Sequence, residues 1–163
     1  MINIDVYRNR IWKTPFILSK TEMKKIVKKC LDEVNIDAKD VFLNVSFVNS
    51  KQMVAYNLKY RGKDSSTNVL SFENRDYILK HGEKNKKYKT LFLGEIVLCF
   101  EKIQHEANEF NKSFNDRLYH LFVHGIFHLL GYNHIKNNER KEMELLETNV
   151  LLKFKINNPY NLI

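Results

Sequence analysis

The sequence predicts an α+β fold, in which a small mixed β-sheet of about four strands is packed by about five helices. Strand-like segments rich in β-branched residues are gathered in the first hundred residues, and helical periodicity dominates the remainder. The chain has 163 residues, of which 44% are hydrophobic and 28% charged, with only five glycines and two prolines. This length and composition fit one globular domain spanning residues 1–163.

Strands and helices alternate in the first part of the chain. Residues 2–7 alternate apolar and polar side chains, as a half-buried strand does. The helix that follows opens with Ser19 and Glu22 in capping-box spacing, and its apolar residues recur every three or four positions. The next predicted elements are a strand at 41–48, a short helix at 50–61 begun by Asn49 or Ser50, and a strand at 67–72.

The second part of the chain is mainly helical. Residues 74–90 are polar and mostly basic, which predicts a mobile surface loop or hairpin. Residues 91–100 form the most apolar segment and are predicted to be the strand in the middle of the sheet. Helices are predicted at about 101–112, about 114–130 and about 137–154.

Cysteine use and hydropathy favour an intracellular protein. Cys30 and Cys99 are far apart and lack ligand-like spacing, so neither a disulfide framework nor a cysteine zinc site is expected. We see no export signal, and no segment approaches the roughly 18 apolar residues that a membrane span needs. The expected location is the reducing cytoplasm, with no membrane anchor.

The net charge of +8 indicates a polyanionic partner such as a nucleic acid. Lysine outnumbers arginine 21 to 6, and 19 residues are asparagine. A codon bias produces the same composition, so the charge alone does not separate these two explanations. The lysines on the first predicted helix are read as a solvated outer face.

Three histidines in the segment HGIFHLLGYNH predict a metal site. His124 and His128 are four residues apart on a predicted helix, so both imidazoles leave the same face. Gly131 is the residue type that ends a helix in a left-handed conformation, after which His134 can approach as a third ligand. Three neutral imidazoles leave the fourth position of a zinc ion open for substrate or water.

Two alternatives were weighed against this ligand set. His120 lies one turn before His124 and is an alternative third ligand, although imidazoles on three successive turns span a long distance for one ion. Zinc peptidases of the HExxH type carry a catalytic Glu after the first histidine, where this chain has Gly125. Peptide hydrolysis is therefore disfavoured. His81 and His105 show no ligand geometry and are predicted to be surface residues.

Three sequence blocks resemble the YbeY family of endoribonucleases and rRNA maturation factors. Residues 120–134, HLFVHGIFHLLGYNH, are similar to the H-G-x-L-H-L-x-G-Y-D-H signature of that family. The segment from Asn57 to Glu73 resembles its N-x-x-Y-R-x-x-D-x-x-T-D-V-L-S-F block, and residues 92–99 resemble its L-G-D-I-x-I-S strand. The blocks follow the family order and cover most of the chain.

The resemblance implies a zinc-dependent endoribonuclease specific for single-stranded RNA. It implies roles in 16S rRNA 3′-end maturation and ribosome quality control, with the small ribosomal subunit as a partner. It also implies an α+β fold with a three-histidine site in a cleft. His124, His128 and His134 correspond to the ligands of one Zn²⁺, and Arg61 to the family's functionally important arginine.

The chain departs from the family pattern at four positions. Asn133 and Asn68 stand where the family has Asp, which puts in doubt any role for a carboxylate there. Ser66 replaces a Pro, and Glu95 replaces the Asp of L-G-D-I. The three histidines are unchanged.

The chemistry around the metal stays partly open at the level of sequence. Arg61 can hold two phosphate oxygens at once or form a surface ion pair with Asp64. Lys59, Lys63 and the 80–89 segment can guide an RNA strand. Tyr56 and Tyr60 can stack on bases or serve as packing residues.

Neither the reaction route nor the proton acceptor is selected by the sequence. Direct hydrolysis by a metal-activated water and attack by the ribose 2′-hydroxyl are both open, and Asp64, Glu95 or a metal hydroxide alone can be the base. The rival functions are a hydrolase of a non-RNA substrate and a ribosome assembly factor with structural zinc. The oligomeric state and the native metal are not predicted.

Overall fold

The structure is a computed structural model that describes residues 1–13, 18–74 and 84–160. In this part of the chain it contains four strands and five helices, which confirms the predicted α+β class. In chain order the elements are β1 Ile2–Arg8, α1 Lys20–Glu33, β2 Ile36–Val48, α2 Ser50–Arg61, β3 Val69–Glu73, β4 Lys86–Cys99, α3 Phe100–Glu109, α4 Phe114–Leu129 and α5 Asn137–Leu152.

The four strands form one mixed sheet with the order β1-β2-β4-β3. Strand β2 runs parallel to both β1 and β4, whereas β3 pairs antiparallel with β4. Helix α1 supplies the crossover that a parallel β1–β2 pair requires. Strand β4 has a neighbour on each side, as predicted for the most apolar strand, and β3 lies at an edge of this sheet.

Strands β2 and β4 both begin five residues earlier than the apolar pattern predicted, at Ile36 and Lys86. Their additional residues pair with each other, from Ile36 opposite Lys86 to Asp40 opposite Thr90. Most of these side chains are polar and at least partly exposed, so hydrophobicity does not mark them as strand. The predicted loop at 74–90 is therefore wrong for residues 86–90, while residues 75–83, including His81, lie outside the described residues.

The main core lies between the sheet and helices α1, α4 and α5. Helix α1 buries the apolar stripe that its sequence predicted, consisting of Met23, Ile26, Val27, Cys30 and Leu31. A smaller core, formed by Val48, Met53, Leu70, Val97 and Cys99, lies where α2 covers strands β3 and β4. Both cysteines are buried free thiols, as predicted. None of the helices in the described ranges is long and apolar enough to cross a membrane.

Candidate metal centre and the surrounding cleft

Helix α4 presents His124 and His128 on one face, one turn apart. The helix begins at Ser113, whose side chain accepts a hydrogen bond from the Asp116 amide, as an N-cap residue does. It ends at Leu129, and Gly131 then adopts a φ of 95°. Because L residues rarely adopt this conformation, glycine allows the chain to turn back here. The predicted role of Gly131 is confirmed, and the turn brings His134 towards the helix.

The side chains of His124, His128 and His134 form a cluster whose ligand atoms all lie within 4.8 Å of one another. The ring centroids of His134 are 5.5 Å from those of His124 and 4.9 Å from those of His128. His120 is not part of the cluster, and its ring lies 6.4 Å from that of His124. The geometry thus favours His134 over His120 as the third member of the predicted set.

Two hydrogen bonds orient the imidazoles so that their Nε2 atoms face each other. Nδ1 of His128 donates to the Tyr132 carbonyl at 2.9 Å, since a carbonyl can only accept. Nδ1 of His124 donates to Oε2 of Glu147, also at 2.9 Å. Both Nε2 atoms therefore carry lone pairs, and they lie 3.0 Å apart.

This arrangement fits a cation better than it fits two bare imidazoles. Two lone pairs at 3.0 Å repel each other, whereas two nitrogen ligands of a tetrahedral zinc ion lie about 3.3 Å apart when each Zn–N bond is about 2.0–2.1 Å. Burial, reinforced by the neighbouring rings of His124 and His134, lowers the pKa of His128 from 6.5 to about 4. His128 is therefore neutral near pH 7, as a metal ligand must be.

Glu147 connects this cluster to a second group of polar residues inside the protein. It lies on α5, is 0% exposed, and accepts hydrogen bonds from His124, from Nε2 of His120 at 2.9 Å and from the Tyr160 hydroxyl. Burial opposes ionisation of this carboxyl group, but the bonds from His120 and His124 prevail and lower its pKa from 4.5 to about 2. The buried carboxylate is thus ionised and supplied with three donors.

The hydrogen bonds continue from His120 to the mouth of the cleft. A guanidinium nitrogen of Arg117 lies 3.2 Å from Nδ1 of His120 and can only donate, so Nε2 of His120 carries the proton given to Glu147. Arg117 also donates to Glu106 at 2.8 and 3.1 Å. The amide of Asn68 donates to the two oxygens of the same carboxylate at 3.0 and 3.2 Å. Asn68 therefore fixes Glu106 by donation, which an Asp at this position cannot do.

Sequence reasoning missed Glu147 as a residue of the site. Its signal was present, because Glu147 occupies the same buried stripe of α5 as Met143, Val150 and Leu151. A lone acid among buried apolar positions indicates a partnered carboxylate. The identity of that partner depends on how α5 packs against α4, which the spacing within α5 does not determine.

Gly125 faces the sheet and not the cleft. A Cβ at this position would lie 3.1 Å from Cδ1 of Ile96 and 3.2 Å from Oγ of Ser71. Helix α4 therefore lies so close to strands β3 and β4 that only glycine is accommodated without displacement. The position that a peptidase would give to its catalytic Glu is here a packing contact.

The histidine cluster opens into a cleft of about 750 Å³, lined by one end of α2, the following loop, β3 and the segment after α4. Arg61 and Lys63 line this cleft together with His124, His128 and His134. The buried side chain of Asn57 holds the loop after α2 by donating to the Ser65 carbonyl at 2.9 Å. The fold thus brings the predicted arginine and the predicted ligands to one surface. Asn68 and Asn133, where the family has Asp, line it too.

The alternative partner proposed for Arg61 is not used. In residues 1–13, 18–74 and 84–160, no ion pair joins Arg61 to Asp64, and the guanidinium carbon instead lies 5.9 Å from the Phe72 ring centroid. Of the candidate bases, neither Asp64 nor Glu95 lines the cleft. Oε2 of Glu95 accepts a hydrogen bond from Ser46 at 2.8 Å on the sheet. Glu73 is a carboxylate that does line the cleft.

Similar sequences carry one consistent name. The sequence model of the family described as "Endoribonuclease YbeY" matches residues 7–155. The endoribonuclease YbeY of Bartonella quintana is 38% identical over 161 residues, covering 98% of each chain. That of Anaplasma marginale is 32% identical over 160 residues, covering 98% of this chain and 97% of the relative.

A solved structure supports the fold. The solution structure of TM1509 from Thermotoga maritima aligns with a TM-score of 0.54, covering 95% of this chain and 92% of that one. At 24% sequence identity this likeness concerns the fold alone.

Proposed function

Because this chain belongs to the YbeY endoribonuclease family, we propose that it is a metal-dependent endoribonuclease that cleaves single-stranded RNA in the cleft described above. The observation that carries the proposal is the convergence of two lone-pair Nε2 atoms at 3.0 Å in a cleft that Arg61 also lines. Phosphodiester cleavage needs positive charge at the reacting phosphate, and both features supply it.

The proposed ligands of one Zn²⁺ are His124, His128 and His134. When bound there, a divalent cation polarises a phosphoryl oxygen and makes water more acidic. The protein prepares this site in advance, since Glu147 and the Tyr132 carbonyl hold two of the imidazoles in the ligand tautomer. Zinc is our choice because three neutral nitrogen ligands suit it and leave one position open.

Arg61 is the proposed phosphate-binding residue. Its planar guanidinium can donate two hydrogen bonds to one phosphate, and no carboxylate of the described residues forms an ion pair with it. Lys63 adds a second positive charge on the same cleft. These two side chains hold the scissile phosphate against the histidine cluster while the reaction proceeds.

The proton acceptor is best sought among the groups that line the cleft. This criterion disfavours Asp64 and Glu95 and leaves Glu73 as a protein candidate beside the metal-activated water itself. Product analysis separates the two reaction routes. A 2′,3′-cyclic phosphate on the product of a defined oligonucleotide indicates attack by the ribose 2′-hydroxyl, whereas its absence from the earliest products indicates direct hydrolysis.

The proposed cellular role is maturation of the 16S rRNA 3′ end and ribosome quality control, with the small ribosomal subunit as partner and the cytoplasm as location. The support for this role is family membership, together with the net charge of +8, which favours a polyanionic substrate. Deletion of the gene is expected to leave 16S rRNA precursors with extended 3′ ends. Mature ends at wild-type levels would contradict the role.

One comparison tests the activity. Metal content and cleavage of a single-stranded oligoribonucleotide are measured for the wild type and for His128→Ala, Arg61→Ala and His105→Ala. His105 is an exposed histidine on α3 that lines no part of the cleft, so its variant is the matched control. We expect His128→Ala to lose metal and cleavage, Arg61→Ala to lose cleavage alone, and His105→Ala to keep both.

Two outcomes would redirect the proposal. RNA loss that persists undiminished in His128→Ala contradicts a metal-centred nuclease and indicates a contaminating enzyme. A wild-type protein that holds zinc, binds RNA and never cleaves it favours the assembly factor with structural zinc.

A further inference from the structure

Three aromatic side chains form a cluster beside the cleft. Tyr56 and Tyr60 lie one turn apart on α2, and Phe72 lies on the edge strand β3. The ring centroids are separated by 5.0 Å for Tyr60 and Phe72, 6.0 Å for Tyr56 and Tyr60, and 6.3 Å for Tyr56 and Phe72. We call these three residues the aromatic cluster.

Packing accounts for only part of the aromatic cluster. Tyr56 and Phe72 pack against the smaller core, so their partial burial is explained by stability. Tyr60 is 54% exposed and does not belong to that core. A half-exposed ring that covers two others contributes little to folding, but it offers a flat apolar face to a ligand.

Positive charges flank the aromatic cluster. The Lys59 ammonium lies 5.1 Å from the Tyr60 ring centroid, and the Arg61 guanidinium carbon lies 5.9 Å from that of Phe72. Lys63 follows in the adjoining loop, and both Arg61 and Lys63 also line the metal cleft. In the described ranges none of these three cations forms an ion pair with the nearby acids Asp64 and Glu73.

Alternating aromatic rings and cations match the chemistry of an unpaired nucleic-acid strand. Bases that are free of a duplex stack on aromatic rings, and the phosphates between them bind Lys and Arg. Arg61 contacts the aromatic cluster on one side and the cleft on the other, so a strand whose phosphate lies in the cleft continues directly over the cluster. Bases held within a helix cannot present their faces in this way.

We infer that the aromatic cluster is a base-stacking subsite, in which Tyr60 stacks on an unpaired RNA base next to the phosphate held in the cleft. This inference rests on the proposed function and extends it to substrate selection. The stacking energy is available only to unpaired nucleotides, so the subsite gives the protein its preference for single strands. It also makes binding tolerant of sequence, because every base has a stacking face.

The test uses a single-stranded oligoribonucleotide with 2′-O-methyl groups throughout, which blocks attack by the 2′-hydroxyl, and a 2-aminopurine that is moved along the strand. Binding is followed by fluorescence anisotropy, and stacking by quenching of the 2-aminopurine. The variants are Tyr60→Ala, Tyr60→Phe and Tyr7→Ala. Tyr7 is also half-exposed, at 50%, but lies on β1 at the opposite edge of the sheet.

Tyr60→Ala is expected to weaken Kd by about tenfold or more and to abolish the quenching at one position. Tyr60→Phe is expected to remain within about twofold of the wild type, since stacking needs the ring and not the hydroxyl. Tyr7→Ala is expected to bind as the wild type does. An abasic nucleotide at the quenched position should weaken wild-type binding as Tyr60→Ala does, and it should have little further effect on that variant.

Unchanged affinity and unchanged quenching in Tyr60→Ala overturn the inference, provided that circular dichroism shows a wild-type melting transition. That result leaves the proposed function intact if the wild type still cleaves unmodified RNA. If the zinc-loaded wild type neither binds nor cleaves any RNA, the proposed function itself fails and the inference fails with it.

Discussion

The carboxylate of Glu147 lies 2.9 Å from Nδ1 of His124, although the two residues are 23 positions apart and on different helices. This contact sets the tautomer of His124 and directs its Nε2 atom towards that of His128. Because the carboxylate is fully buried and ionised, it also stabilises positive charge on the other side of the imidazole. The preparation of the metal site therefore extends into the core.

Replacing Glu147 is expected to weaken metal binding without removing a ligand. In Glu147→Gln the amide keeps one acceptor but loses the charge, and we expect zinc affinity to fall by about tenfold to a hundredfold. Competition with a chromophoric chelator measures this change. Glu109→Gln, which alters an exposed carboxylate on α3, serves as the control. Equal affinities for the two variants would show that Glu147 has only a structural role.

Exchanging Arg61 for lysine tests whether its geometry or its charge is needed. A single ammonium cannot donate the two parallel hydrogen bonds of a guanidinium, so we expect Arg61→Lys to lower kcat/KM for RNA by about tenfold or more. Zinc content and the melting temperature should be unchanged, because Arg61 is exposed and at the end of α2. Wild-type cleavage by Arg61→Lys would mean that the charge alone suffices.

Introducing the peptidase carboxylate at position 125 is expected to unfold the protein and not to create a peptidase. Gly125 is buried against Ile96 and Ser71, so Gly125→Glu must displace α4 and bury a charge, at a cost of about 4 kcal/mol or more. Gly125→Ala is the control, because it adds one methyl group whose crowding is offset by about 1 kcal/mol of helix propensity. Urea denaturation compares the two variants. A stable, folded Gly125→Glu protein would contradict the packing argument.

The metal-free protein should lose stability on mild acidification. The pKa of His128 is about 4 in the folded protein and 6.5 when unperturbed, so the unfolded state binds more protons between these values. Unfolding free energy should then fall as the pH decreases from about 6.5 to about 4, by on the order of 2 kcal/mol after solvent screening. Glu147 acts in a lower window, since its contribution is lost as the pH falls from 4.5 towards about 2.

Denaturation of the chelator-treated protein at several pH values measures this effect. His128→Gln should remove the slope between pH 6.5 and pH 4, while His105→Gln should retain it, since His105 is exposed on α3. A slope that survives in His128→Gln would assign the effect to another group.

Restoring the family's acid at position 68 is expected to destabilise this particular protein. The Asn68 amide donates to Glu106, so Asn68→Asp would place two carboxylates about 3 Å apart, with Arg117 as their shared cation. We expect a loss of about 1–2 kcal/mol at pH 7. The second substitution Glu106→Gln should recover much of it, as measured by denaturation of the single and double variants. Full stability of Asn68→Asp alone would contradict this account.

Local pattern was enough to predict most of the elements and the core of the metal site. The helical spacing of His124 and His128, the glycine that ends α4 and the return of His134 are all relationships within eleven residues. Such relationships follow from the geometry of one helix and one turn. The apolar stripe of α1 was predictable for the same reason.

Relationships between distant segments were decided only by the tertiary structure. The first residues of β2 and β4 are polar and become strand because they pair with each other. Arg61 reaches the cleft because β3 returns antiparallel beside β4 and brings the end of α2 towards α4. Glu147 finds His124 because α5 packs on α4. A sequence states what each segment can bury or donate, whereas the partner of each group depends on where long-range packing places the other segments, and periodicity within one segment carries no information about that.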